Sequence, residues 1–109
     1  MRQDILDHLD ANDVWYSLES ELDAVIRSVD VVYLTQIRPG RLKDQKHLSK
    51  YVVDSSILKS MKSDAMILHP LPRTLELDKT VDSDPRAFYF QQATNGLYVR
   101  MALLTMLLE

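Results

Sequence analysis

The stretch Ala65-Met66-Ile67-Leu68-His69-Pro70-Leu71-Pro72-Arg73 decides how the rest of the chain is read. Four apolar residues run straight into two prolines, the pattern of a buried strand that stops and hands over to a stiff loop. Pro70 and Pro72 each fix φ and lack an amide donor, so neither continues a sheet ladder or sits inside a helix. The loop keeps free backbone carbonyls and a guanidinium. In an α/β sheet it would lie at the carboxyl end of a strand, where ligands bind. A plain strand-to-loop break with His69 packed under a helix accounts for the same residues.

Outward from this stretch, helical and extended signals alternate. Residues 2–11 set Ile5, Leu6 and Leu9 on one face of a short helix, with Asp4, Asp7 and Asp10 outward. Val14-Trp15-Tyr16-Ser17-Leu18 has the composition of a strand. Ser20, followed by Glu21 and Asp23, marks a helix start, and Leu22, Val25 and Ile26 form its buried stripe. Val31-Val32-Tyr33-Leu34-Thr35 is nearly continuous in apolar residues, as strands of parallel sheets are. Pro39-Gly40 ends it, and the charged run from Arg41 to Lys50 reads as weakly helical and mobile. Tyr51-Val52-Val53 forms a short extended piece, and Ser55 or Ser56 caps a helix through Met61. After strand 65–68 and the polar Asp82-Ser83-Asp84-Pro85, a long helix starts near Gln91. This rhythm predicts an α/β fold, a three-layer parallel sheet of Rossmann-like type with right-handed crossovers.

Composition narrows the function. A chain of 109 residues, 46% hydrophobic and 27% charged, is one domain with a modest core. A net charge of −3 leaves no electrostatic footprint for nucleic acid or an anionic membrane. Without cysteine there is no disulfide, thiolate nucleophile or Cys-type zinc site. His8, His47 and His69 lack metal-ligand spacing, and Gly40 and Gly96 alone do not build a phosphate loop, so no metal and no cofactor is expected. The N-terminus lacks a signal-peptide pattern, and Met101 to Leu108 is too short to span a bilayer; a cytoplasmic location is expected.

The last helix points to company. Between Leu97 and Leu108 only Arg100 and Thr105 are polar, so this helix has hardly any polar face. A plain alternative for one face of this helix is that Leu97, Met101, Leu104 and Leu108 are simply core. The apolar surface left over predicts a second domain, a subunit or self-association through residues 97–108.

Three collinear segments carry a family resemblance: Asp30-Val31-Val32-Tyr33-Leu34-Thr35, the loop His69 to Arg73, and Tyr89-Phe90-Gln91-Gln92-Ala93-Thr94-Asn95-Gly96 with Arg100 to Leu104. Together they resemble aspartate carbamoyltransferase, over the later part of its second, aspartate-binding domain. The related ornithine enzymes typically carry a cysteine in the loop, so Pro70 favours the aspartate branch. The resemblance implies carbamoyl transfer without metal or covalent intermediate: the L-aspartate amine attacks the carbonyl carbon of carbamoyl phosphate held by an N-terminal domain. It further implies a catalytic loop of Pro70, Leu71 and Pro72, with the Leu71-Pro72 bond cis and the Leu71 carbonyl on the reacting groups. Gln36, Arg38, Leu71 and Arg73 would bind substrate, and Arg41 and Glu76 would belong to an interdomain network. Rigid acceptors and guanidinium clamps suit a reaction that depends on aligning two small anions.

Departures are equally specific. The family reads Thr-Arg-x-Gln where this chain reads Thr35-Gln36-Ile37-Arg38, so the arginine and glutamine are exchanged. Positions two apart on an extended segment face one side, which keeps both on one pocket while moving the charge by roughly 6–7 Å. Leu75 stands where the family usually has an acidic residue, and the segment from Arg41 to Tyr51 is a few residues shorter. The family's Ser-Thr-Arg-Thr phosphate loop does not occur, so residues 1–109 read as a partial aspartate-binding domain without its carbamoyl-phosphate partner. Two readings follow. The chain is a transferase piece, inactive alone and meeting carbamoyl phosphate only beside a complementary domain. Alternatively it is a non-catalytic homologue, an interaction module or a gene remnant.

Overall fold

Residues 1–37 and 50–108 are described by a computed structural model. The elements run α1 (Gln3–Ala11), α2 (Leu22–Val25), β1 (Val31–Tyr33), α3 (Ser55–Ser60), β2 (Met66–Leu68), a 3₁₀ turn (Lys79–Ser83) and α4 (Tyr89–Leu108). The fold is mixed α/β. β1 and β2 pair in parallel, with Val32 opposite Ile67 and Tyr33 opposite Leu68. On its other side β2 meets the chain at Ala87, where Ile67 N–H donates to the Arg86 carbonyl at 2.8 Å and Phe88 N–H to the Ile67 carbonyl at 2.9 Å. A second parallel bridge joins Val53 to Leu77. Ile67 is therefore flanked on both edges, and it is fully buried.

The apolar runs around β1 and β2 build the core: Ile26, Val32, Val53, Leu58, Met61, Ala65, Ile67, Leu77, Val81 and Tyr89. Tyr51-Val52-Val53 contributes through Val53 alone. The end of α3, with Met61 as its C-cap, is held from outside: Arg86 Nη1 donates to the carbonyls of Leu58 (2.9 Å) and Lys62 (3.1 Å), while its other guanidinium nitrogens hold Asp84 at 2.8 Å. The start of α3 differs from the serine cap expected. Asp54 is the N-cap, its Oδ1 accepting from Ser56 N–H (2.8 Å) and Ile57 N–H (3.1 Å). A carboxylate accepts these bonds at full charge beside the helix N-terminus, which a hydroxyl does not. The Ser56 hydroxyl, which also donates to Asp54 Oδ1 at 2.6 Å, and after it the Ile57 N–H hold the Asp54 carboxyl below its ordinary range. Asp54→Ala is expected to cost about 1 kcal/mol, read as a lower urea midpoint with unchanged slope.

Three other expectations are corrected. Val14 to Leu18 is not a strand; it is irregular, and Trp15 is 87% exposed. Aromatic and β-branched residues favour strands only when a ladder partner and a packed face exist, and among the described residues this segment has neither. α2 begins at Leu22 with Glu21 as its N-cap and no side-chain cap, so Ser20 does not start it. The final helix begins at Tyr89 rather than Gln91.

α4 decides the shape. Its 20 residues make a rod of about 30 Å, of which only Tyr89 is buried. Leu97, Met101, Leu104 and Leu108, which the plain alternative puts in the core, are all more than half exposed. The core is one short sheet, and a helix of this length runs past its edge after the first turns. The radius of gyration, 16.5 Å, exceeds the roughly 13 Å of a compact chain this long. No helix among the described residues is long and apolar enough to cross a membrane.

Candidate functional site

β1 and β2 run parallel, so their carboxyl ends lie side by side, and the 69–76 loop leaves from the second of them. The first turns of α4 fasten both exits. Gln92 Oε1 accepts the His69 N–H at 2.9 Å, and Gln92 Nε2 donates to the Tyr33 hydroxyl at 3.4 Å.

His69 is buried, 1% exposed. Its Nδ1 accepts the Leu71 N–H at 2.8 Å, and its Nε2 lies 3.0 Å from Glu76 Oε1. The amide only donates, so Nδ1 carries no proton; the ring hydrogen sits on Nε2 and donates to the carboxylate. The Leu71-Pro72 peptide is cis, as the resemblance implied, and Leu71 has φ of 46°. Leu71 is half-buried, with Pro70 and Pro72 exposed on either side.

Glu76 is as buried as His69. Besides the imidazole, Oε1 accepts the Thr74 N–H (2.8 Å), and Oε2 accepts the Thr74 hydroxyl (2.5 Å) and the Ile37 N–H (3.1 Å). Burial opposes the charged form, yet the donors of Thr74 and Ile37 outweigh it and hold this carboxyl down to about 2. The resemblance put Glu76 in an interdomain network. Within this chain its oxygens accept from His69, Thr74 and Ile37, and it ties the exit of β1 to the loop after β2.

Arg73, expected at the substrate, turns to the 3₁₀ turn. Its guanidinium grips both oxygens of Asp82 and lies 5.9 Å from the centre of the Tyr89 ring, and the Tyr89 hydroxyl donates to Asp82 as well. Arg73 holds Asp82 down to about 2 and is itself pushed further above its ordinary range by that carboxylate. Burial and then Asp82 push Tyr89 up to about 12. Asp82 and Tyr89 escaped the sequence reading, although an arginine after two prolines and a nearby acidic turn are a usable signal. Gln36 is exposed at the exit of β1, one residue before the anchored Ile37 amide, and Leu75 is exposed on the loop. Arg38 and Arg41 lie outside the described residues.

Beside the loop, His69, Pro70, Gln92, Ala93, Gly96 and Arg100 line an open cleft of about 250 Å³. Arg100 folds back across Gly96, where an added Cβ would sit 3.4 Å from its Nη1. Both nitrogens of His69 and both oxygens of Glu76 are engaged, so neither acts as a general base. The loop offers rigid backbone acceptors, which suits it to positioning a ligand.

The model of the aspartate/ornithine carbamoyltransferase Asp/Orn-binding domain matches residues 2–107. The chain is 43% identical over 113 residues to aspartate carbamoyltransferase 1, chloroplastic, of Pisum sativum, covering 99% of this chain and 29% of that protein. It is 43% identical over 104 residues to the aspartate carbamoyltransferase catalytic subunit of Clostridium perfringens, covering 92% and 34%. Among solved structures, the catalytic subunit of M. jannaschii aspartate transcarbamoylase superposes with a TM-score of 0.88 at 33% identity, over 98% of this chain and 36% of that one. The Trypanosoma cruzi enzyme in complex with carbamoyl phosphate and aspartate gives 0.84 at 34%, over 95% and 35%. The chain thus spans about a third of the length of these relatives. A match along nearly its whole length, joined to the buried loop geometry, shows that this chain belongs to the aspartate/ornithine carbamoyltransferase family, as a C-terminal aspartate-binding region of the aspartate carbamoyltransferase kind.

Proposed function

We propose that this chain supplies the aspartate-binding side of an aspartate carbamoyltransferase, in the step that makes N-carbamoyl-L-aspartate for pyrimidine biosynthesis. In that reaction the L-aspartate amine bonds to the carbonyl carbon of carbamoyl phosphate. The bond from that carbon to the phosphate oxygen breaks, and an amine proton leaves with phosphate. The observation that carries the reading is the loop from His69 to Arg73 at the carboxyl end of β2, with Leu71 held by a buried imidazole beside the exit of β1. Leu71 offers its carbonyl to the reacting groups, and Pro70 and Pro72 stiffen it. In this reading Gln36 and Arg38 are the residues that bind the carboxylates of aspartate, and Arg41 is a residue of the interdomain network. Carbamoyl phosphate is held by a carbamoyl-phosphate domain, which also completes the three-layer arrangement and covers the apolar sides of α4. Two observations support a companion of that kind: the exposed Leu97, Met101, Leu104 and Leu108, and the third of its relatives' length that this chain spans.

The test is reassembly. Full chain mixed with a carbamoyl-phosphate domain from a relative is expected to form N-carbamoyl-L-aspartate, whereas either part alone is not. A stable mixed complex without product would overturn the reading. A non-catalytic interaction module is the second reading, favoured by the exchange of Gln36 and Arg38. The double substitution Gln36→Arg with Arg38→Gln decides between them in the same assembly. If the native order is functional, aspartate affinity by titration calorimetry falls or stays level. A rise of about tenfold, the worth of one charge-assisted bond, would mark the native pair as degenerate.

A further inference from the structure

One line of hydrogen bonds, buried at its His69–Glu76 centre and part-buried at its ends, joins the two strand exits. Leu71 N–H donates to His69 Nδ1, His69 Nε2–H donates to Glu76 Oε1, and Glu76 Oε2 accepts the N–H of Ile37, 39 residues away in sequence. Leu71 sits at φ of 46°, a left-handed conformation that a side chain with a Cβ holds only when its surroundings impose it. Neutral imidazole is the side chain that offers one acceptor and one donor on opposite corners of a rigid ring, and here each corner meets its complement.

We infer that the buried His69–Glu76 pair is a positioning element, which holds Leu71 in place and locks its loop to the Ile37 backbone between Gln36 and Arg38 at one spacing. His69 acts through Leu71 and touches no reacting atom. The inference deepens the aspartate-binding reading and rests on it for its effect on catalysis; the hydrogen-bond line itself is tested without any ligand.

The two jobs of His69 separate in two variants. In His69→Asn the side-chain oxygen stands near the place of Nδ1 and keeps an acceptor for Leu71. In His69→Gln the longer amide reaches toward the place of Nε2 and keeps a donor for Glu76. In the full chain, His69→Gln is expected to raise amide hydrogen exchange at Leu71 by tenfold or more and leave Ile37 protected. His69→Asn is expected to keep Leu71 protected. If both variants unfold, nitrogen-15 spectra of the wild-type imidazole decide, with Nδ1 bare and Nε2 protonated. The opposite tautomer, or unprotected Leu71 in the wild type, overturns the inference. In the reassembled enzyme His69→Gln should lower kcat about tenfold, one lost hydrogen bond, with a smaller change in KM for aspartate, and His69→Asn should recover most of it. Equal loss in both variants would reduce His69 to a packing role and overturn the positioning part. An inactive wild-type assembly would sink the functional reading, while the exchange data would still decide whether the pair holds the loop.

Discussion

Glu76→Ala is expected to destabilise the chain by about 3–5 kcal/mol, the cost of removing one partner from a buried charged network. Four donors lose their acceptor together: His69 Nε2–H, the Thr74 amide and hydroxyl, and the Ile37 amide. A domain of this size has about 5–15 kcal/mol to lose, so the urea midpoint should drop by roughly 1 M or more. An unchanged midpoint would mean that water replaces the carboxylate at no cost. Acid makes the same point without a mutation. The folded carboxyl at about 2 lies below its ordinary 4.5, so its contribution, on the order of 3 kcal/mol, is whole above pH 4.5 and is lost as pH falls from there toward 2. Asp82, also held near 2, titrates in the same direction. In Glu76→Gln the fall of stability between pH 5 and pH 3 should be visibly shallower, as denaturant melts at each pH would report.

Arg86→Ala should cost about 2–4 kcal/mol. The guanidinium is mostly buried, clamps Asp84, and supplies the Leu58 and Lys62 carbonyls at the end of α3. Asp84 lies below its ordinary range chiefly because of this partner, so removing the partner strands a charge. The Arg86 carbonyl also accepts the Ile67 amide, so the loosened segment borders β2. Arg86→Lys is not expected to rescue, because an ammonium does not fork between a carboxylate and the Leu58 and Lys62 carbonyls. Thermal unfolding of the three proteins is the check: a lysine variant that melts with the wild type would show that charge alone suffices.

Much of the candidate site could be read from residues that act locally. Two prolines after four apolar residues force a strand to end, whatever lies around it. Val31 to Thr35 has the continuous apolar character that a parallel strand needs, and β1 and β2 form where these runs occur. Errors fell where a partner decides. Val14 to Leu18 has strand chemistry and, among the described residues, no strand to pair with, and α4 has apolar chemistry along a length that the described core does not cover. Ser55 and Ser56 resemble caps, yet the neighbouring Asp54 makes the bonds.

Local sequence alone shows where the chain stiffens, which segments seek a buried sheet, that this chain brings no cysteine, and which family the three collinear segments resemble. Each of these follows from the covalent and hydrophobic character of residues a few positions apart. Packing at long range is what bonds His69 at both ends, turns Glu76 inward to Ile37 and sets Arg73 on Asp82 beside Tyr89. A hydrogen bond is decided by a few tenths of an ångström and by direction. Groups 7 to 39 residues apart come within that tolerance only once two parallel strands have brought their carboxyl ends together.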